Sequence, residues 1–106
     1  MKGDQIGEFE ELLLLAVLAL DETPTVVSIQ QYLENVTARR VSLGAVYAGL
    51  DRLERKRLVA SSFGDASPTR GGKRKRLFQI TRDGRRTAET VRRVRNTMWK
   101  TIEGRR

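Results

Sequence analysis

The chain has 106 residues and a net charge of +8, enough for one domain with a modest core and small enough that pairing with a second copy adds substantial stability. It contains no cysteine and no histidine, which removes disulfides, the thiol nucleophile, the usual zinc and haem ligands and the commonest general base; with no convergent carboxylate pair, neither an enzyme nor a cofactor is expected. Residues 1–38 hold one basic and seven acidic groups and residues 39–106 hold twenty and six, −6 against +14, so an anionic partner is expected along the second two-thirds of the chain.

The first helix is expected from about Gly7 to Asp21. Its centre, LLLLAVLAL, is apolar on every side and must be covered all round, which one small domain has trouble doing. Leu12 and Leu15 are therefore assigned to a homodimer interface. The same nine-residue run is too short to span a bilayer and follows Glu8, Glu10 and Glu11 instead of the basic flank of a signal peptide. A cytoplasmic protein without membrane contact is expected. Thr23-Pro24-Thr25 breaks the chain, and a short second helix, roughly Thr25 to Asn35, turns Val26, Ile29, Leu33 and Val36 inward.

The third helix, Ser42 to Lys56, is the most informative. Leu43, Val46, Leu50 and Leu53 recur at spacings of 3, 4 and 3 and form a stripe that faces a core. The opposite side carries Gly44, Ala45, Ala48, Arg52 and Arg55, very small residues followed by two guanidinium groups. Small side chains let the backbone come close to another surface, and arginine contacts guanine O6/N7 bidentately or pairs with phosphate. Ser42 is a good N-cap, Val41 and Val46 stand at the positions of a hydrophobic staple, and the helix start aims backbone N–H groups outward. Double-stranded DNA is the expected partner. Tyr47 either packs at the edge of the core stripe or reaches a phosphate; Arg52 and Arg55 either contact DNA, stay as solvated charge, or pair with Asp51 and Glu54.

Two short strands, near 58–63 and 75–80, flank a basic loop over 64–76 and make a hairpin. Arg70, Lys73, Arg74, Lys75 and Arg76 lie within seven positions and repel one another, so they are expected to meet phosphates. Gly64 to Lys73 superficially suggests a phosphate loop but lacks the Gly-Lys-Ser/Thr ending. Thr81 then caps a last helix running to about Glu103, with Asp83 in its first turn. Val91, Val94, Met98 and Ile102, at spacings of 3, 4 and 4, approach a coiled-coil seam surrounded by basic residues and are assigned to dimerisation. The expected organisation is a DNA-binding unit over 1–81 and a dimerisation helix over 82–106, one compact domain overall.

Helix, helix, helix, hairpin, helix is the order of a winged helix-turn-helix domain, mainly α with a small β-hairpin, in which the third helix enters the major groove and the basic hairpin follows the backbone or minor groove. Four stretches, GEFEELLLLAVLAL (7–20), VSLGAVYAGLDRLERKRLV (41–59), SPTRGGKRKRLFQIT (67–81) and Asp83-Gly84, resemble the PadR family of bacterial transcriptional regulators. The resemblance implies a homodimeric repressor whose last helix crosses to the partner near its first helix, and the chain is similar to the short-tailed branch. It also favours a DNA contact for Tyr47, which sits in the matching G-x-V-Y motif. Some relatives sense aromatic compounds at the dimer interface, so Trp99 has two readings: dimer packing, or a pocket for a planar aromatic effector. Two positions depart from the family pattern. Arg57 stands where glycine is usual, so either it accepts a left-handed conformation or the helix ends differently, and Val26-Val27 replaces Tyr-Gly. A winged adaptor for an acidic protein surface, or a nonspecific nucleic-acid coat, also fits the charge; the first lacks a use for the small-residue face and the second lacks exposed aromatics for stacking.

Overall fold

The computed structural model describes residues 5–20, 23–64 and 75–105. Its elements follow the expected order: α1 (Glu8–Ala19), α2 (Val26–Thr37), α3 (Leu43–Arg55), β1 (Val59–Phe63), β2 (Arg76–Ile80) and α4 (Arg82–Glu103). Side-chain caps start three of the four helices. Thr25 and Ser28 form a reciprocal capping box, Ser42 Oγ accepts from the Ala45 N–H at 3.1 Å, and Thr81 Oγ1 accepts from the Gly84 N–H at 2.9 Å.

The core lies among the first three helices and the hairpin. Leu13 and Leu14 of α1, Ile29 of α2, Val46, Leu50 and Leu53 of α3 and Phe78 of β2 are completely buried. Gly49 sits where α1 crosses α3: a Cβ there would run into Leu13 Cδ1. α1 is not covered all round within the chain, because Leu15 and Ala19 are exposed. No helix among the described residues is long and apolar enough to cross a membrane.

Two residues expected inward point out. Val36 is 62% exposed, because the α2 stripe continues from Leu33 by a four-residue step to Thr37, which lines a cleft with Leu33, Phe9 and Leu12, and one residue back the side chain has rotated away by about 100°. Leu43, in phase with Val46, is also exposed; it stands at the first position of α3, where side chains lean past the helix end.

The hairpin pairs β1 and β2 antiparallel, Val59 opposite Ile80 through Phe63 opposite Arg76. A bridge between Thr25 and Leu77, with the Phe78 N–H donating to the Pro24 carbonyl at 2.9 Å, adds a one-residue third strand from the break before α2. α4 starts against the end of α3. The Thr81 N–H donates to the Leu58 carbonyl at 3.1 Å, and Gly84 leaves no room there for a Cβ. Farther along, Arg95 grips Glu11 of α1 through Nε and Nη2 at 2.9 and 2.6 Å. Beyond that, α4 is exposed.

α3 ends in a complete Schellman motif: the Arg57 N–H donates to the Glu54 carbonyl and the Leu58 N–H to the Leu53 carbonyl, both at 2.9 Å. Leu53 and Leu58, the apolar pair of the motif, are buried. Arg57 has φ 63°, so the left-handed alternative is the one adopted. Arg57→Gly is therefore expected to raise stability by about 1 kcal/mol, read as a higher urea midpoint at unchanged m-value. Arg57→Ala keeps the Cβ and is expected to leave the midpoint where it is.

Candidate nucleic-acid interface

α3 is held from one side and bare on the other. Ser42, Gly44, Ala45, Tyr47, Ala48, Arg52 and Arg55 are all exposed. Gly44 has nothing within 4 Å of the place a Cβ would occupy, so no packing requirement explains a glycine there. Tyr47, 45% exposed, lies outside the core. The turn leading into α3 is fixed by α2: Glu34 Oε2 accepts from the Val41 N–H and Gln30 Nε2 donates to the Val41 carbonyl, each at 2.8 Å. Ala38, left-handed at φ 57°, ends α2 and leads to Arg39 and Arg40, both exposed.

The cations divide into two sets. Arg52 Nε donates to Glu10 Oε2 and Lys56 Nζ to Glu10 Oε1, each at 2.7 Å, and Lys56 also reaches the Gln5 carbonyl at 2.6 Å. Thus Arg52 pairs with neither Asp51 nor Glu54 but with α1. Those two carboxylates hold Arg76 instead, at 3.1 and 2.7 Å, while its Nε donates to Ser61 Oγ and its guanidinium lies 4.9 Å over the Phe78 ring. Arg76 joins the base of the hairpin to α3. The second set, Arg39, Arg40, Arg55 and Lys75, is exposed and makes no ion pair among the described residues. Arg70, Lys73 and Arg74 lie outside the described residues. Arg39 and Arg40 fall between periodic segments, so the sequence pattern assigns them no role; their signal is their place just ahead of the Ser42 cap.

Of the residues assigned to dimerisation, Leu12 and Val91 are half-buried, and Leu15, Val94, Met98 and Ile102 are exposed. Trp99, 59% exposed, lines a groove of about 640 Å³ between α1 and α4 of the same chain, with Leu15, Leu18, Tyr32 and Ala88 among its walls.

Burial pushes the Glu10 carboxyl toward a higher pKa, and the hydrogen bonds and charges of Lys56 and Arg52 outweigh it, holding Glu10 below its ordinary value.

The sequence matches the family model described as the transcriptional regulator PadR-like family over residues 14–90. No curated protein matches. Similar solved structures include a PadR-like transcription factor from Bacteroides fragilis, 18% identical, covering 92% of this chain and 89% of that one with a TM-score of 0.76. A PadR-like transcriptional regulator from Bacillus cereus is 20% identical over 91% and 88%, TM-score 0.72. A PadR family regulator from Eggerthella lenta is 18% identical over 92% and 84%, TM-score 0.71. These likenesses show the shared winged-helix fold.

A carboxyl whose folded pKa is lowered contributes stability above its unfolded value, about pH 4.3 for glutamate, and loses it as pH falls through the folded one. Glu10→Gln strands two cations against a buried amide and is expected to cost about 1–2 kcal/mol at pH 7. Urea titrations of both proteins from pH 7 to pH 3 should show the gap closing below about pH 4.3; a gap that widens there would reverse the assignment.

Proposed function

Because the chain belongs to the PadR-like family of transcriptional regulators, DNA-binding winged-helix proteins and not enzymes, we propose that it works as a homodimeric repressor that occupies a pseudo-palindromic operator. The 1–81 unit reads and grips DNA, and the 82–106 segment pairs the two copies. α3 enters the major groove. Ser42, Gly44, Ala45 and Ala48 lie nearest the base edges, and Tyr47 meets the adjacent backbone. Arg52 contributes from the flank through its Nη groups, its Nε being held by Glu10, a restraint that reduces the entropy lost in a bidentate contact. Lys75 and, from sequence, Arg70, Lys73 and Arg74 supply the wing's phosphate contacts, joined by Arg39 and Arg40 ahead of α3. Arg76, committed to Asp51 and Glu54, serves by positioning the wing.

The reading rests chiefly on Gly44. A helical glycine costs up to about 1 kcal/mol relative to alanine, and the fold leaves the space beside it empty, which is what close approach to a partner surface requires. Dimerisation is supported by Leu15 on α1 and by Val94, Met98 and Ile102, a row of exposed apolar side chains on α4. The groove beside Trp99 is the proposed seat of a planar aromatic effector that releases the protein from DNA.

Selection of genomic fragments by the purified protein at ~0.15 M salt should recover a two-fold-symmetric motif with half-sites about 10 bp apart, bound roughly a thousandfold more tightly than scrambled DNA. Equal, steeply salt-dependent binding to every fragment would leave a nonspecific coat or an adaptor. Gly44→Ala is expected to raise the melting temperature and weaken binding to the recovered site at least tenfold; unchanged binding would remove α3 from the groove. For the effector, saturable quenching of Trp99, the only tryptophan, by a phenolic or cationic aromatic ligand is expected together with loss of operator binding.

A further inference from the structure

The first turn of α3 carries an apolar side chain that the fold does not use. Leu43 keeps phase with Val46, Leu50 and Leu53, yet those three are completely buried and Leu43 is 41% exposed. It is the first helical residue after the Ser42 cap. Helical Cα–Cβ bonds tilt toward the N-terminus, so Leu43 overhangs the end of the helix instead of filling the core. Tyr47, one turn later on the same flank, is likewise exposed, and Gly44 beside it has open space. Arg39 and Arg40, in the turn just before, are exposed and unpaired among the described residues. An exposed leucine that follows two exposed, unpaired arginines by three and four positions along the chain matches a polyanion that offers an apolar spot better than it matches an apolar protein surface.

A DNA major groove offers one such spot per A·T pair. Its base edges present donors, acceptors and a single hydrocarbon group, the C5 methyl of thymine. Leucine neither donates nor accepts a hydrogen bond, so pressing it on any other edge leaves polar atoms dehydrated and unpaired. Resting on the reading of α3 as the recognition helix, we propose that Leu43 is a specificity-determining residue that packs on the 5-methyl group of one thymine in each half-site. Thymine is thereby chosen over cytosine by gain of a methyl contact and by avoidance of the cytosine amine.

The test removes the methyl and nothing else. The full-length protein is offered a random duplex pool at ~0.15 M salt, and in the recovered site each thymine is replaced in turn by deoxyuridine. One thymine per half-site is expected to matter, its replacement weakening wild-type binding about fourfold per half-site, the equivalent of burying one methyl group. Leu43→Ala is expected to bind the unmodified site more weakly and to be indifferent to that same uridine, while Leu43→Met, which keeps an apolar reach, stays sensitive. Matching melting temperatures for the three proteins exclude misfolding, and the wild-type uridine scan stands without any variant. Wild-type binding indifferent to uridine at every position, or a Leu43→Ala protein as sensitive as wild type, overturns the role of Leu43 and leaves α3 as the reading helix. A pool that yields no preferred sequence overturns both, and does so before any uridine is introduced.

Discussion

The crossing of α1 over α3 governs the rest of the structure. At Gly49 the missing Cβ admits Leu13 between the two helices, and the close contact continues along the same faces. Glu10, one turn before Leu13, takes Arg52 and Lys56, one and two turns beyond Gly49. An apolar contact fixes the separation of the axes, and a buried carboxylate between two cations fixes their register, since sliding either helix by a turn would leave a charge buried without a partner. α3 is thereby immobilised along its inner side and at Arg52, which leaves the side chains of Ala45, Ala48 and Arg55 and the open space at Gly44 free of structural duties.

What surrounds α3 is tied to it in turn. Asp51 and Glu54 hold the wing through Arg76, and Leu58, the last residue of the Schellman motif, receives the start of α4 through Thr81. α3, the wing and the base of α4 form one mechanical unit. Several of its basic residues are neutralised in building it, so the positive charge that makes the chain look uniformly fit for DNA is smaller at the interface than a count of arginines implies. The cations left over include Arg39, Arg40, Arg55 and Lys75, from α3 itself, the turn before it and the wing.

Periodicity and capping were legible in the sequence wherever the determining contacts are local. The Val46, Leu50, Leu53 stripe, the Ser42 and Thr81 caps and the two strands follow from neighbours a few residues apart, and the left-handed conformation of Arg57 was one of two alternatives raised by its standing where the family usually has glycine. Phase alone misplaced Leu43 and Val36, both in a terminal turn, because periodicity says which way a side chain points and not whether a neighbouring element extends far enough to cover it. The partners of Arg52 and Arg76 lie 42 and 22 residues away and were chosen by tertiary packing. The same holds for Gly49, whose necessity appears only once Leu13 is set against it, and for the one-residue strand at Thr25.

α4 can be viewed as a lever with its fulcrum at Gly84. The absence of room for a side chain there clamps the first turn against Leu58, while Trp99 lies about 22 Å farther along the axis. A tilt of about 5° at the fulcrum carries Trp99 through roughly 2 Å, and the Arg95–Glu11 grip is the one ion pair among the described residues that resists it along the way. In the proposed dimer, the distance between the two reading helices is therefore set by an angle at the root of α4, and small adjustments at that root are magnified where the subunits would meet.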